Sequence, residues 1–251
     1  MNRCIFCNIT FTKSSIEHIV PESLGNIYYT LQENVVCSKC NNEFSEFESK
    51  ALRKSQLAFI RIKNGVRTKK GKPSTLEIGN IKAISDESFK KDYIKLFGLE
   101  EKDISNLDPV TGSFQVTMSD FDKSEMAASK MLLKIGYESI YKSNKNLLSM
   151  YNYKELKEYV TNKNNRDWPF LTSHVQCYNF KSIPSFNDKH DLNKIKCKLK
   201  TAELSETILL FVFQYDYFNM TTNLLNRDYD WVTPYFQRDT SAALYPKYLK
   251  R

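Results

Sequence analysis

The residues best suited to chemistry lie in the stretch EHIVPESLGN, Glu17 to Asn26, between the cysteine pairs CIFC and CSKC. A carboxylate beside a histidine offers an oxygen ligand for a hard cation and a base whose ordinary pKa is about 6.5. The chain has three histidines, and His18 is the one that lies among the cysteines. A lone histidine on an apolar segment is more often a hydrogen-bonded core residue, but this context favours a catalytic role for His18.

The two cysteine pairs predict a structural zinc site. Two thiolates on a CxxC turn can meet one tetrahedral ion at about 2.3 Å, and two pairs complete a four-sulfur shell. A single pair could instead be a redox motif. The predicted ligands are Cys4, Cys7, Cys37 and Cys40. The 29 residues between the pairs must contain a folded insert, whereas Cys177 and Cys197 have no such spacing and are predicted to be ordinary thiols.

The sequence of the insert and of the segment after it predicts a series of short secondary-structure elements. SIEHIV (Ser15–Val20) and ENVVC (Glu33–Cys37) are predicted to be short extended pieces, with a turn at Gly25-Asn26. The segment Asn41–Lys54 has apolar residues at helical spacing and is predicted to be a helix with Asn41 or Asn42 at its N-cap. The predicted order is therefore a first CxxC turn, or knuckle, then the hairpin, a second knuckle and the helix.

The combined pattern C-x2-C, EHIVP, LGN, EN-x2-C-x2-CNN resembles the HNH endonuclease family, in its ββα-metal form with a built-in zinc knot, over about residues 4–54. The resemblance implies hydrolysis of phosphodiester bonds with His18 as the general base. It also implies that Glu17 and Asn41 bind the catalytic cation. Asn34 corresponds to the central asparagine that braces the loop holding the base, and the alternative is that it is simply a turn residue.

The resemblance also bears on the catalytic metal. The family often has histidine where this chain has Asn41, and an amide oxygen favours Mg²⁺ or Mn²⁺ over Zn²⁺ at that centre. Asn42 is an alternative to Asn41. Ser45 and Glu48 follow on the same helical face, and they could touch the ion directly, through water, or not at all.

The formal net charge of +8 is unevenly distributed. Residues 1–60 are neutral, with six basic and six acidic side chains, while residues 61–72 carry six cations and no acid. This run predicts a loop that contacts nucleic-acid phosphates, and the alternative is a solvated linker. The predicted contacts are Arg61, Lys63, Arg67, Lys69, Lys70 and Lys72.

The pattern predicts an α+β protein with three parts: an HNH module with its zinc knot (1–58), a basic loop and connecting strand (59–84), and a mixed α+β domain that recognises substrate (85–251). Helices are predicted at Asp86–Glu101, Lys123–Ser143 and Met150–Lys163, and strands at Ser74–Ile84 and Gly112–Ser119. Three further strands are predicted within residues 172–180, 194–203 and 206–218, before a short tail.

No signal peptide or membrane span is evident in the sequence, so a cytoplasmic protein with free thiols is expected. The predicted activity is cleavage of DNA, most simply double-stranded, in prokaryotic restriction, anti-phage defence or a mobile element. The alternatives are a zinc-knot DNA-binding protein without catalysis and an effector that cleaves RNA. The sequence does not decide whether the protein forms a homodimer or binds a partner protein.

Overall fold

The computed structural model describes residues 1–118, 121–183 and 197–249 and confirms the α+β class. Its α-helices are α1 (Ser38–Arg53), α2 (Gln56–Lys63), α3 (Glu125–Ser143), α4 (Lys145–Met150), α5 (Lys154–Val160) and α6 (Thr233–Arg238). Short 3-10 turns lie at Glu22–Leu24, Glu101–Asp103 and Asp230–Val232.

The strands of the described residues are β1 (Asn2–Arg3), β2 (Thr10–Phe11), β3 (Thr75–Ile78), β4 (Ile81–Ser85), β5 (Ile94–Phe97), β6 (Ile104–Ser105), β7 (Gln115–Val116), β8 (Phe170–Ser173), β9 (Lys181–Ser182), β10 (Cys197–Ser205), β11 (Ile208–Tyr215), β12 (Phe218–Asn223) and β13 (Ala243–Tyr245). An antiparallel sheet has the order β13-β8-β12-β11-β10-β9, and β3-β4-β5 form a smaller antiparallel sheet. The pairs β1-β2 and β6-β7 are separate ribbons.

Helix α3 is the central element, because it packs against α1 on one side and against β11 and β12 on another. Its side chains from Ala127 to Ile140 are all buried. The main apolar core of the described residues runs from the cysteine knuckles through α1 and α3 to the large sheet, and two smaller apolar clusters lie apart from it. The predicted boundaries at residues 58 and 84 stay predictions, and this core is continuous across both.

The predicted hairpin in the insert differs from the observed one. His18 pairs with Thr30 in an isolated antiparallel bridge, and the amide of Leu31 donates to the carbonyl of Glu17 at 2.8 Å. The predicted second extended piece, Glu33–Cys37, is a turn instead. Asn34 explains the difference, because its φ of 67° lies in the left-handed region and stops a strand there.

The predicted helix after the second knuckle is confirmed, but it begins three residues early. Cys37 is the N-cap of α1, so Asn41 and Asn42 lie inside the first turns and are not caps. The buried stripe contains Phe44, Phe47 and Ala51.

The predicted helix at Asp86–Glu101 is wrong. Residues 94–97 form β5, which pairs with β4, and Phe89 and Asp92 have positive φ values of 56° and 66°. Aromatic residues at four-residue spacing imitate a helical stripe there, but Tyr93 and Phe97 are exposed. Pairing with β4 therefore outweighs the local pattern.

Other predicted elements are present with changed bounds. The strand at Ser74–Ile84 is a hairpin of β3 and β4 turning at Gly79, and Met150–Lys163 contains the shorter α5. The strand at Gly112–Ser119 shrinks to β7, and its last residue lies outside the described residues, as do residues 194–196 of another predicted strand. The predicted C-terminal tail contributes β13 to the edge of the large sheet.

Candidate functional site

The four cysteines of the two knuckles converge on one point. Cys4 and Cys7 lie in the turn between β1 and β2, while Cys37 and Cys40 lie at the start of α1. All four Sγ atoms lie within 4.8 Å of one another, with Cys4 and Cys40 at 3.8 Å and Cys7 and Cys37 at 3.7 Å. Four sulfur donors in this arrangement fit a structural zinc ion.

Within the cluster, the pKa of Cys4 is lowered toward the thiolate form that zinc requires, whereas the pKa values of Cys7 and Cys40 are raised. Contact with the Cys40 thiol, helped by backbone hydrogen bonds, lowers the pKa of Cys4 to about 4. The same contact and burial raise the pKa of Cys40. Among the residues that the structure describes, these cysteines are the one group of three or more His, Cys, Asp or Glu residues whose ligand atoms converge in this way.

Hydrogen bonds to backbone groups hold the segment that carries Glu17 and His18 in place. Ile19 donates to the carbonyl of Tyr29 at 3.1 Å, and the side chain of Asn26 donates to the carbonyls of Val20 and Tyr29 at 2.6 and 2.9 Å. Asn26 also accepts from the Tyr29 amide at 2.8 Å. This buried asparagine therefore closes the loop between the two paired stretches.

Asn34 fastens the beginning of the same segment. Its Oδ1 accepts from the Ser14 amide at 3.0 Å, and its own amide donates to the Ser14 hydroxyl at 3.1 Å. Because Ser14 precedes Glu17 by three residues, the contact ties Asn34 to the start of the segment that carries Glu17 and His18.

A cavity of about 450 Å³ brings together seven of the predicted site residues. The insert forms one wall of the cavity, with Glu17, His18 and Glu22. Residues of α1 and α2 form the other wall. The predicted residues that line it are Glu17, His18, Asn41, Ser45, Glu48, Arg61 and Lys69. Asn34 lies outside the cavity, as do Lys63, Arg67, Lys70 and Lys72.

His18 is suited to proton transfer. Its side chain is 27% exposed, with Nε2 at 3.9 Å from Glu22 Oε2, and its Nδ1 is buried without a hydrogen-bond partner. Lys69 lies 2.9 Å from the same Glu22 oxygen. Because Nδ1 is shielded from solvent, the exposed part of the ring is what a water molecule in the cavity can reach.

The donors on this wall fit a hard cation. Glu17 Oε2 is buried and has no hydrogen-bond partner. Asn41 donates through Nδ2 to the Ser15 hydroxyl at 3.0 Å, which leaves its amide oxygen for a cation. The Ser45 hydroxyl donates to the carbonyl of Asn41 at 3.1 Å. Residues that would hold the ion are thus Glu17 and Asn41, completed by water.

Glu17 has a partner that the sequence does not predict. Lys134 of α3 is fully buried, and its Nζ lies 2.5 Å from Glu17 Oε1, 2.8 Å from Glu48 Oε1 and 3.4 Å from Glu138 Oε2. Nζ also donates to the carbonyl of His18 at 2.7 Å. We call Glu17, Glu48, Lys134 and Glu138 the acid–lysine cluster.

Burial controls the charges of this cluster. It raises the pKa of Glu48 and, more strongly, that of Glu138, although the Lys134 ammonium opposes both shifts. Burial alone would lower the pKa of Lys134, but Glu138, Glu17 and Glu48 together raise it above its ordinary range. The lysine therefore stays charged, and Glu138, whose two oxygens have no hydrogen-bond partner, favours its neutral form.

The six cations of residues 61–72 occupy different environments. Arg61 and Lys63 belong to α2 and not to the loop, and Arg61 is buried with a hydrogen bond to the carbonyl of Leu52 at 3.2 Å. Burial lowers the pKa of Arg61. Arg67 stacks on the Phe89 ring at 4.2 Å. Lys70 and Lys72 are exposed.

Two residues of the site escape sequence reasoning for different reasons. Asn26 is predicted only as a turn residue, although its place beside Gly25 is a signal for local hydrogen bonding. Lys134 carries no signal, because a lysine in a helix is ordinarily exposed and this one lies 116 residues after His18.

Comparison with known protein families gives a match for the N-terminal segment. Residues 4–57 match a family model described as HNH endonuclease, and this segment contains both cysteine pairs, Glu17-His18 and all of α1. Searches of curated proteins and of solved structures gave no match. The predicted family resemblance of the N-terminal segment is confirmed, and it indicates nuclease activity on nucleic acid.

No helix among the described residues is long and apolar enough to cross a lipid bilayer.

Proposed function

We propose that the protein is a metal-dependent endonuclease that hydrolyses phosphodiester bonds of double-stranded DNA. The observation that carries the proposal is the shared cavity of Glu17, His18 and Asn41 inside the segment that matches HNH endonucleases. A small nuclease with an accessory region of its own suits prokaryotic restriction, anti-phage defence or a mobile element.

The geometry of the cavity supports the role that we propose for each residue. His18 takes a proton from the attacking water through the exposed part of its ring. Glu17 and Asn41 offer oxygen ligands that suit Mg²⁺ or Mn²⁺. When bound, such a cation stabilises the charge that develops on the phosphate and on the leaving oxygen. Asn34 keeps the segment that carries His18 in place through Ser14.

Cleavage assays with wild type and His18→Ala test the activity. We expect Mg²⁺-dependent cutting of plasmid DNA and a loss of at least about 100-fold in the variant, the lower end for a general base. Zinc content and melting temperature should not change. His174→Ala is the matched control, because His174 is exposed and stacks on Tyr217 away from the cavity.

The proposal fails if His18→Ala cuts as fast as wild type or if chelation of Mg²⁺ leaves the rate unchanged. Labelled RNA in parallel reactions decides the substrate. Cleavage of RNA alone would replace DNA in the proposal and would leave the roles of the residues as they are.

The basic turn after α2 is proposed to contact DNA phosphates. Thr68 and Lys72 exchange backbone and hydroxyl hydrogen bonds of 2.9–3.0 Å, which gives residues 68–72 a fixed shape beside the cavity. Changing Arg67, Lys69 and Lys70 to glutamine should weaken binding and reduce the slope of log K against log salt, by about 0.9 for each phosphate that the variant no longer neutralises.

A charge-matched control uses Lys145, Lys154 and Lys247, which are exposed elsewhere. Their triple glutamine variant has the same net charge and should keep the slope of wild type. Equal slopes for the two triple variants would make residues 67–72 an ordinary solvated turn.

A further inference from the structure

Lys134 joins the C-terminal region to the proposed nuclease site. Its ammonium is fully buried and contacts the carboxylate of Glu17 at 2.5 Å, the carbonyl of His18 at 2.7 Å and the carboxylate of Glu48 at 2.8 Å. Three adjacent groups of the cavity wall are therefore held by one nitrogen from α3.

Lys130 shows that this arrangement is specific to one position. It lies on α3 one turn before Lys134 and is also buried, but its Nζ contacts the amide oxygen of Asn162 and the ring of Tyr159. The packing of α3 thus accepts a buried lysine with one neutral hydrogen-bond acceptor. Burial of a lysine on α3 therefore does not by itself explain why carboxylates surround Lys134.

The two oxygens of Glu17 suggest one. Oε1 is engaged by the ammonium, whereas Oε2 is buried and has no hydrogen-bond partner. A charge-assisted hydrogen bond on one oxygen fixes the plane of the carboxylate and leaves the other oxygen for a cation. Partners of this kind orient metal ligands in many proteins.

We propose that Lys134 is a positioning residue of the nuclease site, which fixes the Glu17 carboxylate and the backbone of His18 for binding the divalent cation. The proposal rests on the proposed function for the identity of the site. It adds that the site is incomplete without helix α3, although α3 lies outside the segment that matches the family.

Direct binding of Mn²⁺ tests the proposal without relying on cleavage. Full-length, zinc-loaded protein is titrated with Mn²⁺, and the free ion is measured by electron paramagnetic resonance. We expect Lys134→Met to weaken Mn²⁺ binding by about 10- to 100-fold, the range for residues that orient metal ligands. Lys130→Met should bind Mn²⁺ as wild type does.

The direction of the change separates positioning from simple electrostatics. Removing a positive charge close to Glu17 and Glu48 increases the negative potential of the cavity, so electrostatics alone would make Mn²⁺ bind more tightly. Unchanged or tighter binding in Lys134→Met would therefore overturn the proposal. So would a wild-type protein that binds no Mn²⁺.

A second variant addresses folding. Lys134→Met leaves buried carboxyl groups without their cation, so Lys134→Met/Glu138→Gln also replaces the most deeply buried of them with an uncharged amide that needs no proton. We expect it to show the same loss of Mn²⁺ affinity, while Glu138→Gln alone, which retains the ammonium, binds Mn²⁺ as wild type does. If neither Lys134 variant folds while Lys130→Met does, Lys134 has a folding role only and the proposal is overturned.

Cleavage by the same proteins distinguishes the two proposals. A wild type that binds Mn²⁺ but cuts no nucleic acid refutes the proposed function, whereas the affinities of the Lys134 variants still decide the role of the lysine. A wild type that cuts, together with Lys134 variants that bind Mn²⁺ and cut as wild type does, refutes only the role of Lys134.

Discussion

Asn34 and Ser14 exchange two hydrogen bonds at the start of the segment that carries His18, and Asn34 does so in a left-handed backbone conformation with φ of 67°. Asparagine tolerates this conformation better than most residues, and alanine does not. The residue therefore has two separable contributions, one from the side-chain hydrogen bond and one from the backbone.

Substitution of Asn34 separates these contributions. Asn34→Gly loses the hydrogen bond, worth about 0.5–1.5 kcal/mol, but accepts the positive φ. Asn34→Ala loses the bond and adds a backbone strain of about 1–2 kcal/mol. We expect urea unfolding to rank the free energy of unfolding as wild type above Gly above Ala. An alanine variant at least as stable as the glycine variant would contradict this account of Asn34.

At the scale of elements, α1 connects the cysteine cluster to the cavity. Cys37 is its N-cap and Cys40 lies in its first turn, while Asn41, Ser45 and Glu48 face the cavity from the same helix. A tetrahedral ion on the cysteines would fix the start of this helix against the turn between β1 and β2. The position of Asn41 in the wall of the cavity thus depends on the cysteine cluster.

Loss of zinc should therefore unfold the N-terminal segment. Zinc binding in zinc-finger peptides is worth about 10–16 kcal/mol at pH 7, which is as large as the whole stability of an ordinary domain, about 5–15 kcal/mol. We expect Cys37→Ser to lose zinc and to melt at a much lower temperature or to be insoluble. Cys177→Ser, outside the cluster, should retain zinc and stability. Purified wild type without zinc would contradict the prediction.

At the scale of the whole molecule, Gly136 sets the distance between α3 and the large sheet. A Cβ atom at this position would lie 2.8 Å from Leu224 Cδ2 and 3.0 Å from the ring of Phe211. Both side chains are fully buried. The glycine lets α3 approach β11 and the residue after β12 closely, while the opposite side of the helix brings Lys134 to Glu17.

Gly136→Ala should be destabilising because of this contact. Overpacking costs about 1–3 kcal/mol, and the better helix propensity of alanine recovers about 1 kcal/mol. We expect Gly136→Ala to lower the free energy of unfolding, and Gly136→Ala/Leu224→Ala to lose less than the sum of the single variants, since Leu224→Ala makes room for the methyl group. Strict additivity in urea unfolding would show that Leu224 does not oppose the methyl group.

Whether a feature could be predicted from the sequence depends on how far apart in the chain the interacting residues are. The cysteine spacing, α1 and α3 could be predicted, because ligand geometry and helical periodicity act over a few residues. Pairing of β5 with β4 could not, since Phe89, Tyr93 and Phe97 imitate a helical stripe. The contact of Lys134 with Glu17 depends on packing between distant segments, for which a single sequence contains no local signal.

The contact between Lys134 and His18 also determines when the cavity wall can be completed during protein synthesis. The cysteine pairs and the stretch with Glu17 are translated first, and 116 further residues must be added after His18 before Lys134 exists. Until α3 has emerged from the ribosome, the carboxylate of Glu17 lacks the ammonium that holds it. The cavity wall is therefore finished only after α3 has been made.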